Sequence, residues 1–310
     1  MKNLGAWHAD MAGDVRCALF AQAPHLKEVT QKYPVLPLVH SLDDDHEAKF
    51  FGYRFLPEVF RNVTKSIDAE FGDDALSGYL LLVVAKLIEL FEVRFSKTGL
   101  SEVFRVEFER NFKRILAVPS DGASLCKIKL DNDLFMKDFG IARQILVPCA
   151  SHLVFRYSGI PRRVFFSRAL GGRLQLLKTL VLDTHGFRPY LENHVHLSML
   201  GEFDEPGRER CLRLVGELLR CWPDSRGLIG TSWYYDPAVG AVSPQLAYLH
   251  DVPAAGGACF LDMGETPAAR DGALVRSPTR RRLAEAGEYQ PRNFMMVWSR
   301  RKLLESYPAV

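Results

Sequence analysis

The segment Glu192-Asn-His-Val-His-Leu-Ser-Met199 decides the fold of the second half of this 310-residue chain. Polar and apolar residues alternate along it, which predicts a β-strand over residues 192–199 with His194 and His196 on one face. Two imidazoles at alternate positions of a strand point to the same side of a sheet. The segment therefore predicts both a structural element and a candidate site.

The sequence on the C-terminal side of this segment alternates between strand and helix patterns. Strands are predicted over residues 227–235, 258–263 and 293–298, and helices over residues 209–221, 243–249 and 277–287. The last helix has Ser277 at its N-cap and Pro278 in its first turn, where a missing N–H costs nothing. Strands that alternate with helices at this spacing imply a sheet with packed helices.

The first half of the chain carries helical patterns, over residues 57–71, 73–91, 101–116 and 132–146. The second of these helices is apolar on most faces, which is typical of the central helix of a bundle. The basic residues also change, from 11 Lys and 8 Arg in residues 1–150 to 2 Lys and 19 Arg in residues 151–310. We therefore predict an α+β protein with a mostly helical domain over residues 1–160 and a mixed β-sheet with packed helices over residues 161–310.

Composition argues against several classes of protein. A net charge of +3 is too small to indicate nucleic acid or a membrane surface as the default partner. The six cysteines include no C-x-x-C pair, which argues against a zinc ribbon, and the chain is too large to need a disulfide framework. The longest apolar run, over residues 79–93, contains three charged residues, and the first residues show no apolar leader. We expect a cytoplasmic protein without a membrane partner.

From residue 192 onward, the predicted order of strand, helix, strand, short helix, strand, helix and strand resembles the later half of the GNAT acetyltransferase superfamily. The segment Ser277-Pro-Thr-Arg-Arg-Arg-Leu-Ala-Glu-Ala-Gly-Glu-Tyr289 is similar to the N-x-x-A-x-x-L-Y-x-x-x-G-F helix and turn of that family. The resemblance covers only the C-terminal part of the chain. It implies a GNAT-like sheet and an enzyme that transfers an acyl or aminoacyl group to an amine or hydroxyl of a small-molecule acceptor.

The resemblance also implies where the acyl donor would bind. In that family, backbone N–H groups at the start of a helix hold the coenzyme A pyrophosphate, helped by the helix dipole. The matching positions here are Gly207 and Arg208, but Glu205 places a negative charge where a phosphate would lie. Arg280 and Arg281 on the last predicted helix would add contacts to a phosphate or to an acidic carrier. The donor is therefore left open between acyl-CoA, an acyl carrier protein and aminoacyl-tRNA.

The two histidines of the opening segment suit proton transfer. His194 or His196 would take the proton of the attacking amine or hydroxyl, because imidazole titrates near neutral pH. Glu192 shares their predicted face and would orient one ring. The alternative interpretation is structural, because two histidines that only make hydrogen bonds on a half-exposed sheet would give the same alternation in the sequence.

A second group of candidates follows the next predicted strand, in the segment Trp233-Tyr-Tyr-Asp236. Ligands of open α/β sheets bind where strands end in this way. Tyr234 or Tyr235 would protonate the leaving group, because the GNAT tyrosine position is occupied here by Ala284. Trp233 and Asp236 would contact the substrate, with Asp236 holding an amine. An aromatic strand end followed by an Asp-Pro turn is the alternative interpretation.

Two further hypotheses come from other classes of protein. The apolar helical half and the Arg-rich C-terminus would suit a non-catalytic binding or adaptor protein. A metal-dependent oxygenase in the helical half is the other hypothesis. The tract His40-Ser-Leu-Asp-Asp-Asp-His-Glu47 has metal-ligating residue types, but its spacing follows no standard site, so no metal ligand is assigned.

Overall fold

Two compact units, Met1–Pro148 and Cys149–Val310, make up the chain in a computed structural model. The structure describes residues 7–42, 52–117, 128–162, 164, 174 and 177–309. Helices occupy the first half and a six-stranded mixed sheet occupies the second, which confirms the predicted α+β class. Within the described ranges, no helix is long and apolar enough to cross a membrane. The acidic tract that begins at His40 lies outside the described residues from residue 43 onward.

In the described part of the first unit before residue 146, helices joined by turns and loops are the regular elements. Its helices are α1 (Trp7–Gln22), α2 (Leu26–Lys32), α3 (Val35–His40), α4 (Glu58–Phe71), α5 (Asp73–Glu89), α6 (Phe91–Phe95), α7 (Val103–Ile115) and α8 (Asp133–Ala142). Helix α5 is the central one, since α1, α2, α3, α4 and α8 all contact it. Gly78 permits the close approach of α2, because a Cβ at this position would lie 2.8 Å from Leu26 Cδ1. The predicted central helix is thus confirmed.

Aromatic rings fill part of the core of this unit. The ring centroids of Phe95 and Phe112 lie 5.0 and 4.9 Å from that of Phe91. His8 stacks on Phe91 at 5.2 Å and is 1% exposed, and neither of its ring nitrogens has a hydrogen-bond partner among the described residues. Burial lowers the pKa of His8 below its ordinary value. This imidazole is therefore neutral near pH 7 and packs as an aromatic core residue.

The predicted helix over residues 132–146 is wrong in its last turn. Helix α8 ends at Ala142, and Gln144 adopts a left-handed backbone conformation with φ of 61°. The amide of Ile145 then donates to the carbonyl of Gly140 at 3.0 Å, which is a common way to close a helix. A short strand, β1 (Leu146–Cys149), follows and contains the division between the two units.

The second unit is built on strands β2 (His152–Ser158), β3 (Tyr190–His194), β4 (Gly227–Ser232), β5 (Cys259–Gly264) and β6 (Asn293–Ser299). The sheet order is β1-β2-β3-β4-β6-β5. Strand β2 pairs antiparallel with β3, and β6 pairs antiparallel with both β4 and β5. Strands β3 and β4 are parallel, as a strand-helix-strand unit requires.

Helices α9 (Glu205–Cys221), α10 (Val239–Val242), α11 (Tyr248–Ala255), α12 (Pro267–Leu274), α13 (Pro278–Glu285) and α14 (Arg300–Ser306) connect or follow the strands, with shorter helical turns at Thr179–Thr184, Leu197–Glu202, Trp233–Tyr235 and Pro244–Leu246. The predicted helix cap at the start of α13 is confirmed, since Ser277 Oγ accepts the amide of Arg280 at 3.3 Å. One face of the sheet buries a core that includes Ile160, Tyr190, Ile229 and Val297. The candidate site lies where β3 and β4 end.

Candidate functional site

Strands β3 and β4 run parallel over only two residue pairs, Leu191 with Leu228 and Glu192 with Ile229. The side chain of Asn193 takes the next position, and its Nδ2 donates to the carbonyl of Ile229 at 3.0 Å. Gly230 on β4 has no room for a side chain, because a Cβ there would lie 1.9 Å from the Asn193 amide. We call this point, where the two strands part around Asn193, the strand fork. It lies at the carboxyl ends of parallel strands, where open α/β sheets bind ligands.

A buried guanidinium lies next to the strand fork. Arg208 is 1% exposed, and its Nη1 donates to Asn193 Oδ1 at 3.2 Å while its Nη2 donates to the Tyr235 hydroxyl at 3.2 Å. The Tyr235 hydroxyl in turn donates to Asn193 Oδ1 at 2.8 Å. No carboxylate pairs with Arg208, and its Nε has no hydrogen-bond partner, among the residues that the structure describes. A buried cation with only neutral partners costs several kcal/mol, which marks this region as a functional candidate.

His152, the first residue of β2, contacts the same guanidinium. Both of its ring nitrogens lie 3.4 Å from Arg208 Nη1, and its Nε2 lies 3.5 Å from the Tyr234 hydroxyl. On the other side of the ring, Nδ1 lies 2.8 Å from Ser151 Oγ. The ring of Phe203 packs on both His152 and Tyr234, with centroids 5.4 and 5.5 Å away. We call Ser151, His152, Asn193, Arg208, Tyr234 and Tyr235 the buried polar cluster.

Electrostatics fix the protonation states of two members of the buried polar cluster. Burial is the main cause that lowers the pKa of His152 well below its ordinary value, and the nearby charges of Arg208 and His194 act in the same direction. Burial likewise raises the pKa of Tyr234 well above its ordinary value. His152 is therefore a neutral imidazole and Tyr234 a protonated phenol near pH 7.

His194 is the last residue of β3 and lies on the face opposite to Asn193. Its Nε2 is 3.6 Å from Glu192 Oε2, and the same carboxylate oxygen accepts a hydrogen bond of 2.6 Å from Ser158 Oγ. The side chain of His194 is 20% exposed, while its Nε2 atom is buried. The structure thus brings Glu192 and His194 together on one face, as the alternation along the segment predicts.

The predicted strand over residues 192–199 is wrong after His194. His196 Nδ1 accepts the amide of Ser198 at 3.1 Å, and the carbonyl of His196 accepts the amide of Met199 at 3.0 Å. These bonds start a turn of 3-10 helix over Leu197–Glu202, because a side chain that caps backbone N–H groups competes with strand pairing. His196 is 3% exposed and caps this turn.

The predicted strand over residues 227–235 also ends early, at Ser232, and a helical turn follows over Trp233–Tyr235. The turn buries Tyr234 and Tyr235 in the polar cluster. Trp233 stacks on the guanidinium of Arg280, which lies 4.6 Å from its ring centroid. Asp236 is 5% exposed and accepts the amide of Ala238 at 2.9 Å, and burial raises its pKa.

The residues expected to hold the donor make contacts within the protein. Gly207 donates its amide to Asp204, the N-cap of α9, at 2.8 Å, so this N–H is already used. Arg280 donates to the carbonyl of Ala273 at 2.7 Å and to Ser243 Oγ at 2.9 Å. Arg281 donates to the carbonyl of Val275 at 3.2 Å. Together with the burial of Arg208, these contacts connect turns and helices of the second unit.

Clefts occur elsewhere in the second unit. One of about 600 Å³ and another of about 280 Å³ lie beside α12 and α13 and share Arg270, Asp271 and Leu274 in their walls. Across the described residues, no group of three His, Cys, Asp or Glu side chains is placed to hold a metal ion. Comparison of the chain with models of protein families, with curated proteins and with solved structures gave no match in any of the three.

Three members of the buried polar cluster were not predicted as site residues from the sequence: Ser151, His152 and Asn193. The only signal for His152 was its position next to Ser151 and near Cys149, and residues so close in sequence do not show whether their side chains pair in space. Asn193 lay inside the opening segment, but the alternation placed it on the face opposite to the two histidines. Their importance follows from contacts across four elements, which residue spacing along one element does not reveal.

Proposed function

We propose that the second unit is an acyltransferase that moves an acyl or aminoacyl group to an amine or hydroxyl of a small molecule. The observation that carries the proposal is the strand fork. Strands β3 and β4 pair over only two residue pairs, so we infer that the edge of β4 beyond Ile229 can take an extended ligand, and the Tyr234 hydroxyl with His152 lies on the Asn193 side of this point. An extended chain with amide groups can bind such an edge by adding backbone-like hydrogen bonds.

The charges at the start of α9 favour one kind of donor. Asp204 caps the helix and Glu205 occupies its first turn, so two carboxylates lie where the pyrophosphate of coenzyme A would bind in a GNAT enzyme. A phosphopantetheine arm on an acyl carrier protein offers the amide groups without that pyrophosphate. We therefore favour an acyl carrier protein over free acyl-CoA and over aminoacyl-tRNA as the donor.

Two of the four proton-transfer candidates remain suited to the reaction. The Tyr235 hydroxyl is held by Asn193 and Arg208, and His196 caps a turn. Tyr234 has its hydroxyl at His152 in the buried polar cluster, and His194 has Glu192 near its Nε2 on the other face of β3. These are the two candidates whose groups we propose exchange a proton with a reactant. The likeness of the element order to the GNAT family supports the same assignment.

Hydrogen exchange of the backbone amides tests this proposal directly. We expect an acyl carrier protein with a loaded phosphopantetheine arm to slow exchange at residues 230–232, because the arm would pair with the edge of β4 beyond Ile229. The carrier protein without the arm is the matched control, and acyl-CoA and aminoacyl-tRNA are the other two ligands to compare. If none of the three donors changes exchange at these amides, the acyl-transfer proposal fails and the adaptor hypothesis gains.

A further inference from the structure

The buried polar cluster contains a histidine that the proposed reaction does not yet use. His152 lies behind Tyr234, 0% exposed, with one ring nitrogen at the tyrosine hydroxyl and the other at Ser151. We propose that His152 is a positioning residue that holds the Tyr234 hydroxyl proton, so that Tyr234 acts first as the base toward the nucleophile. This inference rests on the proposed acyl-transfer function.

Hydrogen bonds link Tyr234, His152 and Ser151 in a chain that ends at the backbone carbonyl of Gly207. This carbonyl can only accept, and it therefore sets the direction of the bonds before it. The carbonyl of Gly207 only accepts, so the single proton of Ser151 points to it across 3.3 Å. Ser151 Oγ must then accept from His152 Nδ1, which carries the one proton of the neutral ring. His152 Nε2 is left as an acceptor for the Tyr234 hydroxyl, which lies 3.5 Å from it and also near Ser232 and Tyr235. The lone pairs of the Tyr234 oxygen consequently point away from His152.

Charged and titratable groups surround His152 on every side. Arg208 of α9 lies at both ring nitrogens, His194 of β3 adds its charge when protonated, and Tyr234 contributes a phenol from the turn after β4. Phe203 closes the remaining side with its ring. The cation of Arg208 keeps the resting imidazole neutral, so a proton that reaches His152 during the reaction is held only weakly and is easy to release.

Tyr234 and His152 together can carry the proton that the acyl transfer must move. The nucleophile forms a bond to the thioester carbonyl carbon and passes its proton to the Tyr234 oxygen, while the Tyr234 proton moves to His152 Nε2. When the carbon–sulfur bond breaks, the proton returns from His152 through Tyr234 to the departing thiolate. No oxidant or further reactant is needed. The histidine is regenerated neutral with each turnover.

His152→Gln in the full chain separates proton holding from hydrogen bonding, because the amide can still accept from Tyr234 but cannot take up its proton. With a loaded acyl carrier protein as donor, we expect kcat to fall by about 100-fold at unchanged KM. His250→Gln changes a half-buried histidine that contacts Phe260 and Asp251, and as the matched control it should keep the wild-type rate. A wild-type rate for His152→Gln, with donor binding intact, would overturn the inference and leave the acyl-transfer proposal standing.

Two measurements distinguish this role from a structural one. Nitrogen NMR of the wild-type histidines should find the His152 proton on Nδ1 between pH 6 and 8, and a proton on Nε2 would contradict the hydrogen-bond chain. Arg208→Met should move the acidic limb of the rate profile to higher pH, because the neutral form of His152 is then less favoured. If no donor binds the wild-type chain, the proposed function fails, and the proton-holding role of His152 fails with it.

Discussion

At the scale of single residues, the site depends on a contact between a glycine and an amide. Asn193 fits between β3 and β4 only because Gly230 has no side chain, and its amide then orders Arg208 and Tyr235. A methyl group at residue 230 would overlap Asn193 and would also lie 3.1 Å from the Tyr235 hydroxyl. The buried polar cluster has no other place to move, since all its members are buried.

Gly230→Ala tests this contact. We expect a loss of about 2 kcal/mol in the free energy of unfolding, because an added methyl group in a packed core forces neighbours to shift. Gly240→Ala is the matched control, since its nearest neighbouring atom lies 3.6 Å away in ordinary contact. Urea unfolding of both variants measures the difference. Equal midpoints for the two variants would contradict the tight fit at the strand fork.

At this scale, the sequence predicted the site residues that belong to a local pattern. Glu192 and His194 share a face because strand alternation is local, and Tyr234 follows the end of a strand. It missed His152 and placed Asn193 outside the site. Their contacts join β2, β3 and α9, and residue spacing along the chain does not predict which residues of separate elements come into contact.

At the scale of elements, helix starts could be predicted better than strand ends. Ser277 caps α13 as expected, because an N-cap and the first turn lie within four residues of each other. The ends of β3 and β4 could not be predicted in the same way. Capping by His196 ends one, and the turn at Trp233 ends the other. Both strands end through interactions that compete with the alternating pattern.

Arg280 gives a prediction at this scale, because it joins three elements. It bonds the last turn of α12 through Ala273 and the turn before residue 244 through Ser243, and it stacks on Trp233. We expect Arg280→Ala to lower the free energy of unfolding by about 3 kcal/mol, since it removes two charge-assisted hydrogen bonds.

Arg282→Ala removes the same side chain from an exposed position of the same helix and should change stability by less than about 0.5 kcal/mol. Thermal or urea unfolding measures both variants. A result in which Arg280→Ala is as stable as Arg282→Ala would favour the donor-binding role that the sequence suggests for Arg280.

At the scale of the whole molecule, composition and periodicity predicted the α+β class, but not the first two strands. Strand β2 is buried along its first four residues, so it shows no alternation of polar and apolar side chains. Strand β1 follows α8 after Gln144, whose left-handed backbone conformation no sequence pattern predicts. Both strands depend on pairing within the sheet, and sequence periodicity does not report pairing.

His8 in the first unit and His152 in the second are buried as neutral imidazoles, which makes the stability of the molecule depend on pH. The pKa values of His8 and His152 are lowered in the folded chain, so unfolding takes up protons below the ordinary histidine pKa. Stability from these groups is full above about pH 6.5 and is lost as pH falls. We expect a loss of up to about 2 kcal/mol per histidine between pH 7.5 and 5, which urea unfolding at the two pH values measures.

His8→Phe isolates the part that belongs to the first unit, because a phenyl ring suits the aromatic cluster and does not titrate. The variant should lose less stability at pH 5 than the wild type does. His25→Phe changes an exposed histidine in the same unit and should leave the pH dependence unaltered. An identical pH dependence for wild type and His8→Phe would show that His8 ionises normally in the folded chain.

The close fit of Asn193 against Gly230 also has an evolutionary consequence. A side chain at residue 230 and an amide at residue 193 exclude each other. A substitution at one of these positions therefore requires a compensating substitution at the other. In related chains, any replacement of the glycine should be accompanied by a smaller residue in place of the asparagine. Loss of that amide would in turn remove the selection that keeps an arginine at residue 208. These three positions should therefore vary as one unit when homologous sequences are aligned.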